Sequence, residues 1–208
     1  MRIQTPFEEK LNTITHAIGA LFGIAALVLL IAFNTEKTAW SLFSVIIYGI
    51  SIIVLFMAST FYHAVNGEKR KHYFRIVDHI SIYILIAGTY TPFLNLVIGG
   101  SSGELYMWAI WGIAIVGTIF KLFFTGSFNK TSLAIYLMMS WLALLLWKSL
   151  VSNLSDKGFL YILIGGGFYT LGTVFFMMKK LSYHHFIWHL FVLCGSYFHY
   201  LAVRSIFV

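Results

Sequence analysis

Residues 39–64 read AWSLFSVIIYGISIIVLFMASTFYHA, a run without a single Asp, Glu, Lys or Arg. A helix needs roughly 20 predominantly apolar residues to cross the hydrocarbon core of a bilayer, so this run is long enough to span a membrane. Six further stretches approach the same length. The seven predicted spans cover residues 16–33, 39–64, 76–98, 105–124, 133–151, 159–178 and 183–207.

The composition agrees with a membrane setting. Hydrophobic residues make up 60% of the 208, charged residues only 10%, and the mean hydropathy is +0.86, whereas about a quarter of the residues in an ordinary soluble domain are charged. Most of the charges fall in short connections between the apolar stretches. We therefore expect an all-α protein, a seven-transmembrane helix bundle that forms a single integral membrane domain over residues 1–208. We place it in the cell membrane, plasma or inner, as a multi-pass protein.

The first apolar stretch is interpreted as a true span. A cleaved signal peptide would have a basic start and a small-residue cleavage site. Here Glu8 and Glu9 precede the apolar run, and no such cleavage pattern follows Phe33.

Lysine and arginine predict the orientation of the bundle. With a cytoplasmic N-terminus and an extracytoplasmic C-terminus, ten of the fourteen lie on the inner side, as the positive-inside rule favours. The inner ten are Arg2, Lys10, Lys69, Arg70, Lys71, Arg75, Lys121, Lys130, Lys179 and Lys180, and the outer four are Lys37, Lys148, Lys157 and Arg204. We interpret the net charge of +7 as anchoring to anionic lipids of the inner leaflet, and expect no nucleic-acid partner.

Several polar residues then fall at the inner ends of the predicted helices. Ionisable groups are costly in lipid and usually face the bundle interior or a water-filled cavity. Because the orientation was assigned from Lys and Arg alone, this convergence on one membrane face independently indicates a single site. The residues are His16, Ser59, His63, Asp78, His185 and His189.

Three of these histidines have the spacing of a metal site. His185 and His189 are four residues apart, which places them on one helix face. His63 ends another helix and would complete the set of three protein ligands that catalytic zinc uses.

The remaining histidines are not assigned as ligands. A single interfacial histidine more often contacts headgroups or water, and this interpretation fits His72 and His184. His79 points to a different face from its neighbour Asp78. His199 lies ten residues beyond His189, which is about 15 Å of helix rise, and is expected to support helix packing or to hydrogen-bond to a ligand from behind.

Three spaced motifs resemble a known family. They are NTITHAIG at residues 12–19, Ser-x-x-x-His at 59–63 followed by Asp78, and His-x-x-x-His at 185–189. Together they resemble the hemolysin III proteins of bacteria, which belong to the progestin and adipoQ receptor family with the adiponectin receptors. The chain also looks related to the alkaline ceramidases, which hydrolyse a lipid amide.

The resemblance implies a seven-helix membrane protein with a cytoplasmic N-terminus and a zinc ion (Zn2+) near the inner leaflet. It would make His63, His185 and His189 the zinc ligands. Asp78 would hold a water beside the zinc, with Ser59 close by.

The chemistry of such a site favours hydrolysis. Zinc held by three neutral imidazoles keeps its charge, so it can activate water at neutral pH and polarise an acyl carbonyl. Asp78 would act as general base and Ser59 would stabilise the developing oxyanion. We hypothesise a zinc-dependent hydrolase of a lipid amide or ester bond, acting in membrane lipid homeostasis, with the lipid tail held in the apolar bundle.

Two residues of the first motif are expected to support this site. His16 and Asn12 would orient the ligands from behind through hydrogen bonds. For Asn12, the alternative is an N-cap of the first helix.

A non-enzymatic protein fits the same residues. Zinc would then tie the second and seventh helices together in a receptor-like sensor of membrane state. A closed shell of four ligands would favour this alternative, whereas an open position near Asp78 would favour hydrolysis.

Other classes fit less well. A retinal protein needs a lysine in its last helix, and none follows Lys180. A transporter would be expected to carry polar groups near the bilayer midplane. A secreted pore-former needs a water-soluble state, which seven apolar spans make implausible. Any lysis of cells is therefore better explained by lipid disturbance or by overproduction of the protein. The sequence assigns no oligomeric state.

Overall fold

The computed structural model describes residues 4–35, 38 and 40–207, without the side chain of residue 129. Arg2 and Lys37, used above for the orientation, and Ala39, the predicted start of the second span, lie outside the described residues. Within them the chain forms helices and no strand, and seven helices are long and apolar enough to cross a membrane. They are α1 (Pro6–Ala32), α2 (Ser41–Ala64), α3 (Glu68–Ile98), α4 (Gly100–Phe124), α5 (Lys130–Asn153), α6 (Asp156–Met177) and α7 (His184–Arg204).

Helix α1 begins ten residues before the span predicted at 16–33, because its first turn is capped. The Thr5 hydroxyl accepts a hydrogen bond from the backbone N–H of Glu8, and the Glu8 carboxylate accepts one from the N–H of Thr5. This reciprocal capping box, with Pro6 in the first turn, stabilises a helix start in polar surroundings. Asn12 therefore lies inside α1, and the alternative that it caps the helix is wrong.

Helix α3 is also longer at its start than the span predicted at 76–98. It begins at Glu68, after Gly67 with a φ of 92°. Lys71 and Arg75 consequently lie on the helix and not in the preceding connection. At its other end the helix changes to π-helical geometry over Phe93–Ile98, directly after Pro92, which is consistent with the loss of a backbone donor at proline.

The first three helices pack in sequence, and α7 packs against α6 and α1. Small residues allow α1 and α2 to approach closely. A Cβ added at Gly19 would lie 2.3 Å from the ring of Phe56, and one at Gly23 would lie 2.9 Å from Ile52. Phe56 and Ile52 are fully buried, so the centre of this contact belongs to the core.

Large apolar side chains cover the outward faces of the bundle, for example Trp108 and Phe123 on α4. Such a surface suits lipid and not water. Helix α5 makes few contacts with its neighbours α3, α4 and α6. The bundle is therefore open on this side, and a cavity lies between α3, α5, α6 and α7.

Candidate metal centre

The three histidines of the predicted metal site meet at one end of the bundle. His63 comes from the last turn of α2, and His185 and His189 come from the first two turns of α7. One ring nitrogen from each lies within 4.8 Å of the other two. The ring centroids are 4.7 to 5.1 Å apart. This group of side chains could hold a metal ion.

The start of α7 is held in place by the start of α1. Tyr183, the residue before α7, has a φ of 60°, in the left-handed region that side chains other than glycine rarely adopt. Its backbone N–H donates a hydrogen bond of 2.8 Å to the Glu8 carboxylate. This bond joins the first turns of the two helices and positions the histidine-bearing face of α7.

Glu9 orients the ring of His63. Its carboxylate lies 2.6 Å from His63 Nδ1 and 2.7 Å from the Lys71 ammonium. The Nδ1–H of His63 can donate to this carboxylate, which leaves Nε2 deprotonated. His63 Nε2 is buried and has no hydrogen-bond partner in the described part of the chain. A buried nitrogen with a free lone pair, aimed into a cluster of imidazoles, fits a metal ligand.

Helix α1 also contacts the ring of His189. His189 Nδ1 lies 3.3 Å from the backbone carbonyl oxygen of Asn12 and 3.5 Å from Thr15 Oγ1. The ring of His16 stacks on that of His189, with centroids 3.5 Å apart and an angle of 15° between the planes. The structure thus brings Asn12 and His16 behind one ligand, although Asn12 reaches it through its backbone and not its side chain. The Asn12 side chain instead donates to Gln4.

Asp78 and Ser59 face the same space. Both line the cavity into which His185 and His189 open. The Asp78 carboxyl group interacts with the Ser59 hydroxyl and lies within electrostatic range of His63. Within residues 4–35, 38 and 40–207, no Cys, Asp, Glu or further His joins the three-histidine group as a fourth donor. A four-coordinate metal held by these three nitrogens would therefore keep one position that no described side chain fills.

The cavity extends from this polar end along most of the bundle and has a volume of about 350 Å³. Asp78 and Ile98 both line it, and twenty residues of helix rise separate them, which is roughly 30 Å. Most of its wall is apolar. Representative lining residues are Leu55, Ile82, Ile86, Phe93, Leu146 and Val192.

Comparison with known proteins identifies the family. Residues 4–200 match the family described as Haemolysin-III related. The chain belongs to the haemolysin III family. The resemblance predicted from the three motifs is therefore confirmed for this family; the relation to alkaline ceramidases stays a prediction.

The relatives come from bacteria and animals. The chain is 44% identical to a Bacillus subtilis (strain 168) protein named Hemolysin-3 homolog. The match extends over 190 residues, which is 91% of this chain and 89% of that protein. It is also 44% identical to the protein named Hemolysin-3 of Bacillus cereus, over 91% of this chain and 87% of the relative. A human protein named monocyte to macrophage differentiation factor is 35% identical, over 96% of this chain and 84% of its own length.

The four histidines that were not assigned as ligands or supports have different surroundings. His72 is exposed and His184 is buried. His79 and His199 line the cavity. His199 packs closely against α6, since a Cβ added at Gly165 would lie 2.3 Å from its ring.

Sequence reasoning overlooked Glu9 and Lys71 as parts of the site. The sequence does contain a signal for Glu9, because Glu9, Asn12 and His16 are spaced three and four residues apart and would share one face if the helix began before them. The predicted span begins only at residue 16, which is too late to include Glu9 and Asn12.

Proposed function

We propose that this protein is a zinc-dependent hydrolase that cleaves an amide or ester bond in a membrane lipid. One observation carries the proposal: a three-histidine group with an open side faces an apolar cavity, and a carboxylate and a hydroxyl line the same end of that cavity.

The three histidines are suited to zinc. His63, His185 and His189 offer three nitrogen donors, and three protein ligands with an open position are typical of catalytic zinc. When bound in such a site, zinc activates water at neutral pH and acts as a Lewis acid. Glu9 would hold the ring of His63 in the orientation and tautomer that ligation needs.

Asp78 is the general base in this proposal. Its carboxylate accepts a proton from the attacking water and returns it to the leaving group. The Ser59 hydroxyl interacts with that carboxyl group, so we assign it the role of holding Asp78 in position. The Ser59 hydroxyl lines the same cavity, where it can turn its single proton from Asp78 to the carbonyl oxygen of a bound acyl group.

The apolar part of the cavity would hold the acyl chain. Its length along α3 suits an extended hydrocarbon tail. Away from the polar end its described wall is mostly apolar, for example at Phe93, Leu146 and Val192. A lipid could enter sideways from the bilayer where α5 packs loosely against its neighbours. Such an activity would act in membrane lipid homeostasis, on the cytoplasmic side if the predicted orientation holds.

A second function is supported by a different observation. Helices α2 and α7 do not pack against each other along their length, yet the three histidines bring their ends together. A metal there would tether the two helices, as expected for a zinc-stabilised membrane sensor or receptor-like regulator without catalytic activity.

An activity assay on the purified protein in detergent distinguishes the hydrolase from the sensor. Fatty acid released from a panel of ceramides and ester lipids is measured by mass spectrometry. We expect His63→Ala to lose both zinc and hydrolysis. Asp78→Asn should keep zinc and lose about a hundredfold or more of the turnover, the usual contribution of a general base.

Asp156→Asn, an exposed acid at the start of α6, serves as the matched control and should retain full activity. A wild-type protein that carries zinc and releases no fatty acid from any lipid of the panel would overturn the hydrolase and favour the sensor.

A further inference from the structure

Lys121 is an unusual residue for the interior of a membrane protein. It lies on α4, lines the cavity, and its side chain is only 1% exposed. Within residues 4–35, 38 and 40–207, its ammonium makes no ion pair and no hydrogen bond. Its electrostatic neighbours are themselves basic, namely Arg75 and His79. A buried ammonium without a counter-charge is costly in a low-dielectric setting.

Arg75 adds a second unpaired cation to the same wall. It lies on α3 and lines the cavity, and its guanidinium reaches the turn between α4 and α5, where a Cβ added at Gly126 would lie 3.5 Å from it. Arg75 likewise makes no ion pair with a described residue. His79 follows one helical turn later on the same face, and its Nδ1 is buried without a hydrogen-bond partner.

The cavity as a whole has an excess of positive charge. Leaving Lys179 aside, its described lining contains two basic side chains of Lys or Arg, on Arg75 and Lys121, and a single carboxylate, on Asp78. Asp78 lies within electrostatic range of Arg75 but forms no ion pair with it. This single carboxylate cannot balance the charges of both Arg75 and Lys121.

We propose that Arg75, Lys121 and His79 form a headgroup site for an anionic lipid whose phosphate group enters the cavity. A guanidinium binds a phosphate in a bidentate manner, an ammonium adds a point charge, and an imidazole nitrogen can donate a further hydrogen bond. The apolar wall that continues from this cluster accounts for the choice of a lipid over free phosphate.

The position of the cluster specifies the substrate class. Arg75 lies three residues before Asp78 and His79 directly after it on α3, so a bound phosphate would lie about one helical turn from the proposed base. The headgroup site has one consequence that rests on the proposed function: the bond that is cleaved would lie next to a phosphorylated headgroup. The binding site itself can be tested without turnover.

The test measures binding of a lipid that cannot be hydrolysed. A radiolabelled ether-linked alkyl glycerol phosphate, which has no carboxylic ester or amide bond for the proposed hydrolase to cleave, is bound to the protein in neutral detergent micelles. The same alkyl glycerol without phosphate is the neutral probe. We expect the wild-type protein to bind the phosphate lipid at least about tenfold more tightly, because its phosphate makes charge-assisted hydrogen bonds that the neutral probe lacks.

Substitutions assign that preference to the cluster. Lys121→Met and Arg75→Gln should each weaken binding of the phosphate lipid about tenfold and leave the neutral probe unaffected. Lys121→Arg should retain most of the preference. Lys157→Gln, which removes an exposed lysine at the start of α6, is the control and should bind both probes as the wild type does.

A folding defect is separable from a binding defect. Removing a buried charge that has no partner is expected to leave the melting temperature unchanged or to raise it, so Lys121→Met should be at least as stable as the wild type. Equal affinity of the wild type for the two probes would overturn the proposal. So would a preference that Lys121→Met and Arg75→Gln leave intact, and displacement of the lipid by inorganic phosphate at similar concentration would reject the lipid assignment.

The two proposals can fail separately. If the phosphate lipid binds as expected and no lipid is hydrolysed, the hydrolase fails and the headgroup site stands. If hydrolysis occurs and the protein binds the phosphate lipid no more tightly than the neutral probe, the headgroup site fails and the hydrolase stands.

Discussion

At the scale of single residues, the most informative contact joins Glu9 to His63. The Glu9 carboxylate lies 2.6 Å from His63 Nδ1. Behind a metal-binding histidine, a carboxylate in this position fixes the ring and increases the basicity of the other ring nitrogen. Lys71 lies on the far side of the same carboxylate, at 2.7 Å. The chain thus supports one ligand through an acid and a base from two other helices.

This contact leads to a prediction for Glu9→Gln. The amide keeps the size of the side chain and removes its charge, so the affinity for zinc should fall about 10-fold to 100-fold. Competition with a chromophoric chelator measures that affinity. Glu68→Gln, an exposed acid at the start of α3, should leave it unchanged; equal zinc affinity in the two variants would show that Glu9 does not support the ligand.

That His63, His185 and His189 come together was predictable, and the residues that surround them were not. The spacing of His185 and His189, and the position of His63 at the end of an apolar run, indicate ligands from the sequence alone. Glu9 lies before the apolar run, in a polar first turn that the predicted span at 16–33 leaves out, so its contact with His63 was not expected. The Asn12 carbonyl is a backbone group, which no sequence motif specifies.

At the scale of helices, close contact between α1 and α2 determines where His16 and His63 lie. The two helices meet over Gly19, whose missing side chain leaves room for the buried ring of Phe56. The ring of His16 packs edge-on against that same phenylalanine, with centroids 5.0 Å apart. Packing in the core therefore continues directly into the polar site.

Gly19→Ala tests this contact. The added methyl group would lie 2.3 Å from Phe56, and overpacking of a core typically destabilises a protein by about 1–3 kcal/mol. Thermal unfolding in detergent should therefore begin at a lower temperature. The matched control is Gly112→Ala on α4, where a Cβ would meet nothing within 4 Å; a Gly19 variant as stable as this control would contradict the contact.

The helix type and number were predictable, and the helix starts were less so. Long apolar runs of membrane length have no alternative in lipid to a helix that satisfies its own backbone. The first turns of α1 and α3 are polar, so they depend on local features such as the capping box at Thr5 and extend beyond the apolar run. These turns carry Glu9 and Lys71, which is why the supports of the site were missed.

At the scale of the whole molecule, the three-histidine group brings together helices that are otherwise separate. Helix α1 packs against both α2 and α7, and the three histidines close the gap between the latter two at one end. A ligand that binds only the folded state stabilises it, by about 2.7 kcal/mol at a concentration one hundred times its dissociation constant.

Metal removal should therefore lower the stability of the whole bundle. We expect a chelator to reduce the melting temperature of the wild-type protein and excess zinc to restore it. His63→Ala should melt at the lower temperature whether or not chelator is present. A wild-type melting temperature that does not respond to chelator or zinc would argue against a tether between α2 and α7.

The orientation of the bundle is a second prediction at this scale. The bias of lysine and arginine predicts a cytoplasmic N-terminus and an extracytoplasmic C-terminus, which would place the metal group near the inner leaflet. An alkaline phosphatase fused to the C-terminus should be active, since that enzyme matures outside the cytoplasm, and a fluorescent protein fused there should stay dark. The opposite pattern would move the site to the outer face.

The central claim is that His63, His185 and His189 form a metal centre, and elemental analysis of the purified protein tests it most directly. Inductively coupled plasma mass spectrometry should find about one zinc per chain in the wild type, as expected for one three-histidine site. A folded triple variant with alanine at the three positions should contain almost none. A wild-type protein that stays metal-free after equilibration with zinc, or a triple variant that retains the full amount, would contradict the account.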